Sequence, residues 1–495
     1  MTRFTRPASR RLTFAVLAAG AGFFAMLQSL ISPVLPTIQH DLHTSQNTVT
    51  WVLTAYLLSA SIFTPIFGRI GDLVGKERML VVSLLAIAAG SLLAALAPNI
   101  GVLLLARVVQ GVGGAVFPLS FGIIRDEFPA DRMPSAVGAM SAIIAVGGGL
   151  GVVTAGPIVA ALDYRWLFWI PLVVVAATAV AAYLLVPESP VRSTGRISWP
   201  GTVLLSGWLV ALLLGVSKAP VWGWESGRVL GLLALGLAGL VAWVLVESRS
   251  ANPLIDMRMM RHPGVWTTNL VALLYGAAMF AIYAFLPQFV QTPTSAGYGF
   301  GASITSAGLL MLPMLVTMFV AGLVSGRLEP RFSARAQLAT GTALSTLSGA
   351  SLVFAHDARW QIAAAAGLFG LGIGLAFSSM TNLVVRSVPS SQTGAATGMN
   401  ANIRTIGGAI GAAVMSSIVT AHPQPNGLPR EAAFTAGFAM LTVLSLAAMA
   451  AALLVPSGRR TVRDLRRAGT EQPAQTDEPV PAAVVGPALP APANG

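Results

Sequence analysis

Apolar runs of about 20 residues, parted by short charged or Pro/Gly-rich breaks, follow one another along almost the whole chain. The pattern predicts fourteen membrane-spanning helices, at 12–36, 48–67, 79–97, 100–124, 134–161, 166–186, 200–218, 227–246, 264–290, 303–326, 336–355, 360–385, 392–420 and 432–456. The first run follows Arg3, Arg6, Arg10 and Arg11, as a signal peptide would. It is too long for a signal h-region and no A-x-A-like cleavage site follows it, so a first span is expected. An apolar run this long must satisfy its backbone internally in lipid, which helices do. An all-α polytopic membrane protein is therefore expected.

Shifted by 260 residues, the chain matches itself. Gly138, Ile143, Gly147, Gly148 and Gly151 fall on Gly398, Ile403, Gly407, Gly408 and Gly411, and Gly114, Phe117 and Pro129 fall on Gly374, Phe377 and Pro389. Shifted by 258, Gly68-Arg69-Ile70 falls on Gly326-Arg327-Leu328. The shift corresponds to eight spans, an even number, so the repeated units keep the same orientation in the membrane. Spans 1–6 then match spans 9–14 as two parallel six-helix halves, with spans 7–8 inserted. The expected organisation is an N-terminal segment 1–11, a first half 12–187, an inserted pair with linkers 188–263, a second half 264–456 and a disordered tail 457–495. Parallel halves facing a central cavity suit alternating access. Gly147, Gly148, Gly151, Gly156 and Pro157, with Gly407, Gly408 and Gly411, would allow close packing or bending of helices during that motion; static small-residue packing would use them equally well.

Charge changes the picture next. The chain of 495 residues carries 30 Lys and Arg, 28 of them Arg, against 18 Asp and Glu. With the N-terminus inside, 23 basic residues fall in inside segments and five outside (Arg165, Lys218, Arg228, Arg359 and Arg430). This bias places both termini in the cytoplasm of a multi-pass plasma-membrane protein. Alternate-loop charge of this kind sets topology and argues against nucleic acid as a partner. There are no cysteines, so disulfides, thiolate metal sites and cysteine catalysis are excluded. No metal or other cofactor is expected.

The densest charge lies between spans 2 and 3, in Gly68-x-x-x-Asp72-x-x-Gly75-Lys76-x-Arg78. An ordinary positive-inside loop accounts for the charge, but not for the glycine spacing, which permits tight turns or close backbone approach. Asp72 is placed to cap a helix or to pair with Arg69, Lys76 or Arg78. Two arginines, Arg107 and Arg404, fall inside spans, where an ionisable group marks a candidate functional site or a structural tie to a neighbouring helix. Helical spacing sets Arg107, Gln110, Gly111 and Gly114 on one face, which must point away from lipid. Arg404 is flanked by Asn400 and Asn402. Uncharged candidates for a cavity wall are Gln28, Ser32, Asn269, Tyr275, Tyr283, Gln288, Asn400 and Asn402.

These motifs resemble those of the major facilitator superfamily, and of its fourteen-span drug:proton antiporter branch in particular. The loop motif is similar to the family's signature between spans 2 and 3, and Arg107-x-x-Gln110-Gly111-x-Gly113-Gly114-Ala115 resembles its span-4 motif. Gly156-Pro157 resembles the antiporter motif of span 5, although Ala160 and Ala161 stand where glycines are usual. Pro33-Val34-Leu35-Pro36-Thr37-Ile38, followed by Trp51 and Tyr56, fits the same branch. The resemblance covers residues 12–456. It implies a conformational latch formed by Gly68, Arg69, Asp72, Gly75, Lys76 and Arg78, and a central-cavity or coupling role for Arg107. With Arg107, the residues Gln110, Arg404, Asn400, Asn402, Gln28 and Asn269 make up the expected cavity set.

The branch commonly carries an Asp in span 1; aligned on Leu35-Pro36, this chain has Leu27 there, with Gln28 next. None of the 18 acids lies in the middle of a predicted span, and the five histidines fall in loops or at helix ends. Proton coupling would then run through edge carboxylates such as Asp41, Asp72 or Asp126, or through the substrate's own ionisation. A cavity with two cations and no anion should favour neutral or anionic amphiphiles. The expected activity is secondary export of small amphipathic compounds by a monomer in contact with membrane lipids, with the substrate and protons as partners. Dedicated export of one endogenous siderophore, peptide or lipid is the alternative. A membrane-embedded lipid-modifying enzyme would need clustered acids, histidines or nucleophiles. Only Asp126, Glu127 and Asp131 cluster, beside Arg125 and Arg132, and these read as solvated loop charge. No Walker motif and no filter signature is present, which disfavours an ATP-driven pump and a passive channel.

Overall fold

A computed structural model describes residues 9–456, apart from 45, 50, 130, 190–197, 251–252, 390–391, 422–423 and 426–427. Fourteen long helices follow in order, and no strand occurs among the described residues. In the first half they are α1 (Arg10–Ser29), α2 (Trp51–Val74), α3 (Lys76–Ala95), α4 (Ile100–Glu127), α5 (Met133–Ala161) and α6 (Trp166–Leu185). The inserted pair is α7 (Trp199–Trp222) and α8 (Gly227–Arg249). The second half comprises α9 (Pro263–Gln291), α10 (Ile304–Leu328), α11 (Ala334–Phe354), α12 (Arg359–Ser387), α13 (Thr393–Thr420) and α14 (Glu431–Leu454). Thirteen of them are long and apolar enough to cross a membrane; α11, rich in Ser, Thr and Gly, is the exception by composition though not by length.

Most predicted boundaries hold within a few residues, but the second helix runs on to Val74, past the predicted 67, and the first ends early. The first run does not continue as one helix to residue 36. It stops at Ser29 and re-forms as a 3-10 turn, Ser32–Val34, and a short helix, Leu35–Asp41. Pro33 and Pro36 supply the reason, since each lacks an amide donor and disfavours helical geometry in the residue before it. The N-terminal residues 1–8 and the tail from 457, where disorder is expected, lie outside the described residues.

Packing repeats between the halves as the sequence shift predicts. A Cβ on Gly147 or Gly151 would stand 2.4 Å from the Gly22 carbonyl oxygen or 2.5 Å from that of Met26, so α5 lies directly on the backbone of α1. A Cβ on Gly407 or Gly411 would likewise meet the Leu273 or Ala277 carbonyl oxygen, at 1.9 and 2.2 Å, so α13 lies on α9. Small residues let backbones approach in a solvent where apolar side chains gain little by pairing with one another rather than with lipid. Gly148 faces open space, and Gly408 backs onto the Phe280 ring. Pro157 lies inside α5.

Separate apolar cores fill the first half, around Leu17, Phe24, Leu80 and Ile123, and the second, around Tyr275, Phe289, Phe369 and Phe438. A third joins them through the inserted pair: Ile66 of α2, Leu205, Trp208 and Leu209 of α7, Trp243 of α8, and Met399 and Ile406 of α13. Helix α7 therefore lies across the seam between the halves. Its C-terminal end is pinned on both sides. Lys218 Nζ sits 4.6 Å above the Trp51 ring, and Trp224 Nε1, just beyond α7, donates to Ser417 Oγ at 2.7 Å. Helix α8 by contrast leaves Leu230, Leu235, Leu237, Val241 and Leu245 exposed, as suits a lipid-facing helix.

Candidate functional site

Residues 68–78 are continuous with helices rather than a free loop: α2 runs to Val74, and Gly75 alone breaks the chain before α3 starts at Lys76. Gly75 has φ +134°, a backbone conformation that side-chain-bearing residues rarely adopt, and a Cβ there would strike the Glu188 carboxylate. That turn folds the charged residues inward. Asp72, Lys76 and Glu77 are all fully buried. Lys76 Nζ lies 2.6 Å from Asp126 Oδ2 and 3.8 Å from Asp72 Oδ1, its stem running over Gly122 of α4. Ser189 Oγ also donates to Asp126. Arg78 Nε pairs with Glu188 at 3.0 Å, and Arg69 lies within electrostatic reach of Asp72 and Glu247.

Asp72 reaches out of its own half. The Ala395 amide, in the first turn of α13, donates to Asp72 Oδ2 at 3.2 Å, and a Cβ on Gly394 would stand 3.0 Å from both carboxylate oxygens. A helix N-terminus carries unpaired amides and partial positive charge, so a carboxylate there is held by both. Gly68 abuts the Gly394 carbonyl. The expectation that Arg125 and Asp126 are solvated loop charge is corrected: the Asp126 side chain is buried against Lys76, and Arg125 donates into the other half, Nη1 to Val385 O and to Thr393 Oγ1 (2.8 Å) and Nη2 to Val388 O (2.7 Å). Asp131 and Arg132 remain exposed, as solvated charges should. The adjacency of Arg125 to Asp126 gave no sign of this division, because one helical step turns the two side chains towards different neighbours.

At the equivalent face of the second half, Arg386 Nη1 pairs with Glu329 at 2.6 Å. Burial raises the Glu329 carboxyl and Arg386 opposes the shift. Asp126 and Arg386 stand 260 residues apart, so equivalent positions carry opposite charges, each paired with a partner from its own half.

A cavity of about 250 Å³ lies between the halves. Gln28 and Ser29 of α1, Tyr56 and Ser61 of α2, Phe280 and Tyr283 of α9, and Asn402, Arg404 and Thr405 of α13 line it, with Phe117, Ile144, Gly148, Met311, Met314, Leu315 and Phe377. Its wall is mostly apolar, and no carboxylate lines it among the described residues. It extends away from the face bearing residues 68–78, towards Leu53, Val152 and Pro287.

The expected cavity residues divide. Gln28, Asn402 and Arg404 line the cavity; Tyr283 does too. Asn402 Nδ2 donates to the Ser61 carbonyl across the seam. Asn400 lines a small adjoining void and donates to Asn269 Oδ1 at 2.8 Å within the second half, so Asn269 serves as its partner and not as cavity wall. Tyr275 bonds Ser345 at 2.6 Å in the second core, Gln288 is exposed, and the Ser32 side chain lies outside the described residues. Arg107 and Gln110 stand behind the wall. Arg107 Nε donates to Val52 O at 3.0 Å, Nη1 donates to Gln110 Oε1 at 2.7 Å, and the guanidinium lies 4.1 Å over the Tyr56 ring. Gln110 Nε2 donates in turn to Ser91 Oγ at 2.9 Å. Gly111 and Gly114 bring α4 against Ser59, Ala60 and Thr64 of α2 and thereby hold the group in place.

Two repeated six-helix halves, a cavity enclosed between them and interlocked charges at one end define a polytopic membrane protein of the transporter class. The Major Facilitator Superfamily sequence model matches residues 17–412 and, in a second alignment, 268–486. The chain belongs to this superfamily. It is 27% identical over 432 residues to the multidrug transporter protein MdtP of Bacillus subtilis, covering 85% of this chain and 77% of that one. It is 30% identical to the methylenomycin A resistance protein of Streptomyces coelicolor, over 81% of this chain and 84% of that one. With the tetracenomycin C resistance and export protein of Streptomyces glaucescens it shares 27% identity over 83% of this chain and 76% of that one. Among solved structures, the human organic anion transporter MFSD10 superposes with a TM-score of 0.65 at 16% identity, over 91% of this chain and all of that one, a likeness of fold.

Proposed function

We propose that the protein is a plasma-membrane exporter of small amphipathic compounds, working by alternating access, with a bias towards neutral and anionic substrates. Similarity to relatives named for multidrug and antibiotic resistance supports the efflux reading. One observation carries the bias: Arg404 lines the cavity, stacked 4.3 Å over the Phe377 ring, and no carboxylate among the described residues shares the wall. A guanidinium offers five donors, and in low dielectric an anion that pairs with it replaces costly desolvation with attraction. The apolar remainder of the wall suits the hydrophobic body of an amphiphile.

On this reading the basic face is cytoplasmic, with both termini inside. The 68–78 latch holds that face shut, so the cavity faces outward. Opening inward requires Asp72 to leave the α13 N-terminus. Protonating Asp72 removes the charge that the helix end attracts, which gives protons a route to act on the equilibrium from outside the cavity wall. Residues 12–187 and 264–456 would move as the two rocking bodies, the protein acting as a monomer.

Transport of a mixed panel in proteoliposomes, with and without a proton gradient, tests the reading. Anionic and neutral amphiphiles should accumulate with the gradient, and a permanent cation such as ethidium should not. Robust gradient-driven ethidium export would overturn the bias, and failure to move any amphiphile would overturn the efflux reading. A panel in which only one compound moved would favour a dedicated exporter.

A further inference from the structure

We infer that Arg125 is the second half of the inner latch, a positioning residue that closes the cytoplasmic face by holding the C-terminal end of α12. The inference rests on the alternating-access reading above. Arg125 leaves the inner end of α4 and crosses to the other half. There its guanidinium donates to the Val385 and Val388 carbonyls and to Thr393 Oγ1. Val385 lies in the last turn of α12 and Val388 is its C-cap, so both carbonyls belong to the set that a helix leaves without intrahelical partners. That end carries partial negative charge, and a forked cation with several donors fits it better than a single ammonium.

The arrangement pairs with Asp72. Asp72 holds the N-terminus of α13 and Arg125 the C-terminus of α12, consecutive helix ends joined by a few residues. Two opposite charges from the first half thus grip two opposite dipole ends of the second. Neither has a repeated counterpart. The position equivalent to Arg125 is Val385, the residue whose carbonyl it takes, so the bond runs in one direction only. The neighbouring ion pairs, Lys76–Asp126 and Arg386–Glu329, stay within their own halves, whereas Asp72 and Arg125 cross between them.

A chain without cysteine accepts paired spin labels directly. Labels at Asp131→Cys and Phe332→Cys, both exposed and in opposite halves, report inner-face separation by double electron–electron resonance in nanodiscs. Arg125→Ala should raise the ratio of open to closed inner face about tenfold, as loss of charge-assisted bonds made in one state only. Arg125→Lys should fall between Ala and the wild type. Thr393→Val, which removes one acceptor and keeps the side-chain shape, should shift the ratio about twofold in the same direction. Arg258→Ala, exposed on the same face, should leave it unchanged. A ratio unaltered in the Arg125 and Thr393 variants while Asp72→Asn shifts it would overturn the inference. One fixed distance in every sample, the wild type included, would overturn the alternating-access reading and the inference with it.

Discussion

Arg107 in the first half and Arg404 in the second both lie well inside a helix, away from its ends, and the two are used in opposite ways. Arg107 is held by protein through Nε and Nη1, which reach a backbone carbonyl and the Gln110 amide oxygen, and through the Tyr56 ring, with Nη2 buried and left without a hydrogen-bond partner among the described residues. Arg404 in the second half touches the Phe377 ring and otherwise faces the cavity. The halves are repeats, yet the two arginines are not counterparts. The position equivalent to Arg404 is Ile144, which lines the same cavity from the opposite side, and the position equivalent to Arg107 is Gly367. A shared scaffold therefore supports two separate decisions. A cation that bonds helices of its own half holds that half together, and a cation left facing a cavity is available to a ligand.

The largest expected effect breaks the comparison on the first side. Arg107→Met leaves the Val52 carbonyl and Gln110 without their buried donor, and hydrogen bonds to charged groups contribute about 1.5–3 kcal/mol each. A loss of about 3 kcal/mol is expected, read as a lower midpoint of unfolding in detergent. Arg404→Met should leave that midpoint unchanged or raise it, because it removes a desolvated charge that protein does not pair. Equal destabilisation by the two substitutions would end the distinction.

Next in size is the transport effect on the other side. Arg404→Met should lower uptake of an anionic amphiphile into inverted vesicles about tenfold, the scale of one charge-assisted contact, and spare a neutral one. Arg404→Lys should recover part of the loss, since the charge stays but the planar fork does not. If the anionic and the neutral compound lost activity in proportion, Arg404 would be structural after all.

Much of this was legible in the sequence, and the rest was hidden for specific reasons. Hydropathy gave the fourteen helices because lipid demands long apolar runs, and the glycine shift gave the repeat because backbone approach tolerates no side chain at Gly147 or Gly407. The same reasoning marked Arg107 and Arg404 equally, as charges inside spans. Only three-dimensional neighbours separate them. Val52, which receives Arg107, is apolar and 55 residues away in the chain, and its role is played by a carbonyl that every residue possesses. Arg125 was hidden for the same reason: its partners are carbonyls of Val385 and Val388, which no side-chain pattern announces. Asp72 was readable because a carboxylate must find a donor, although which helix end supplied it was not.

The smallest effect sharpens the comparison at the rings themselves. Both arginines lie over an aromatic face, at 4.1 Å for Tyr56 and 4.3 Å for Phe377. Cation–π attraction contributes about 0.5–2 kcal/mol and grows with desolvation, so each ring supports its guanidinium. Tyr56→Phe keeps the ring and removes a hydroxyl that has no hydrogen-bond partner among the described residues. It should leave both the unfolding midpoint and transport within error of the wild type. Phe377→Leu keeps apolar bulk but removes the quadrupole on which Arg404 rests. The freed guanidinium then samples more rotamers, and pairing with an anion must first order it. The expected result is a threefold to tenfold rise, about 0.7–1.4 kcal/mol, in the concentration of anionic substrate needed for half-maximal transport, with the maximal rate preserved. A Phe377→Leu variant with unaltered anion affinity would show that the cavity wall, and not the ring, positions Arg404.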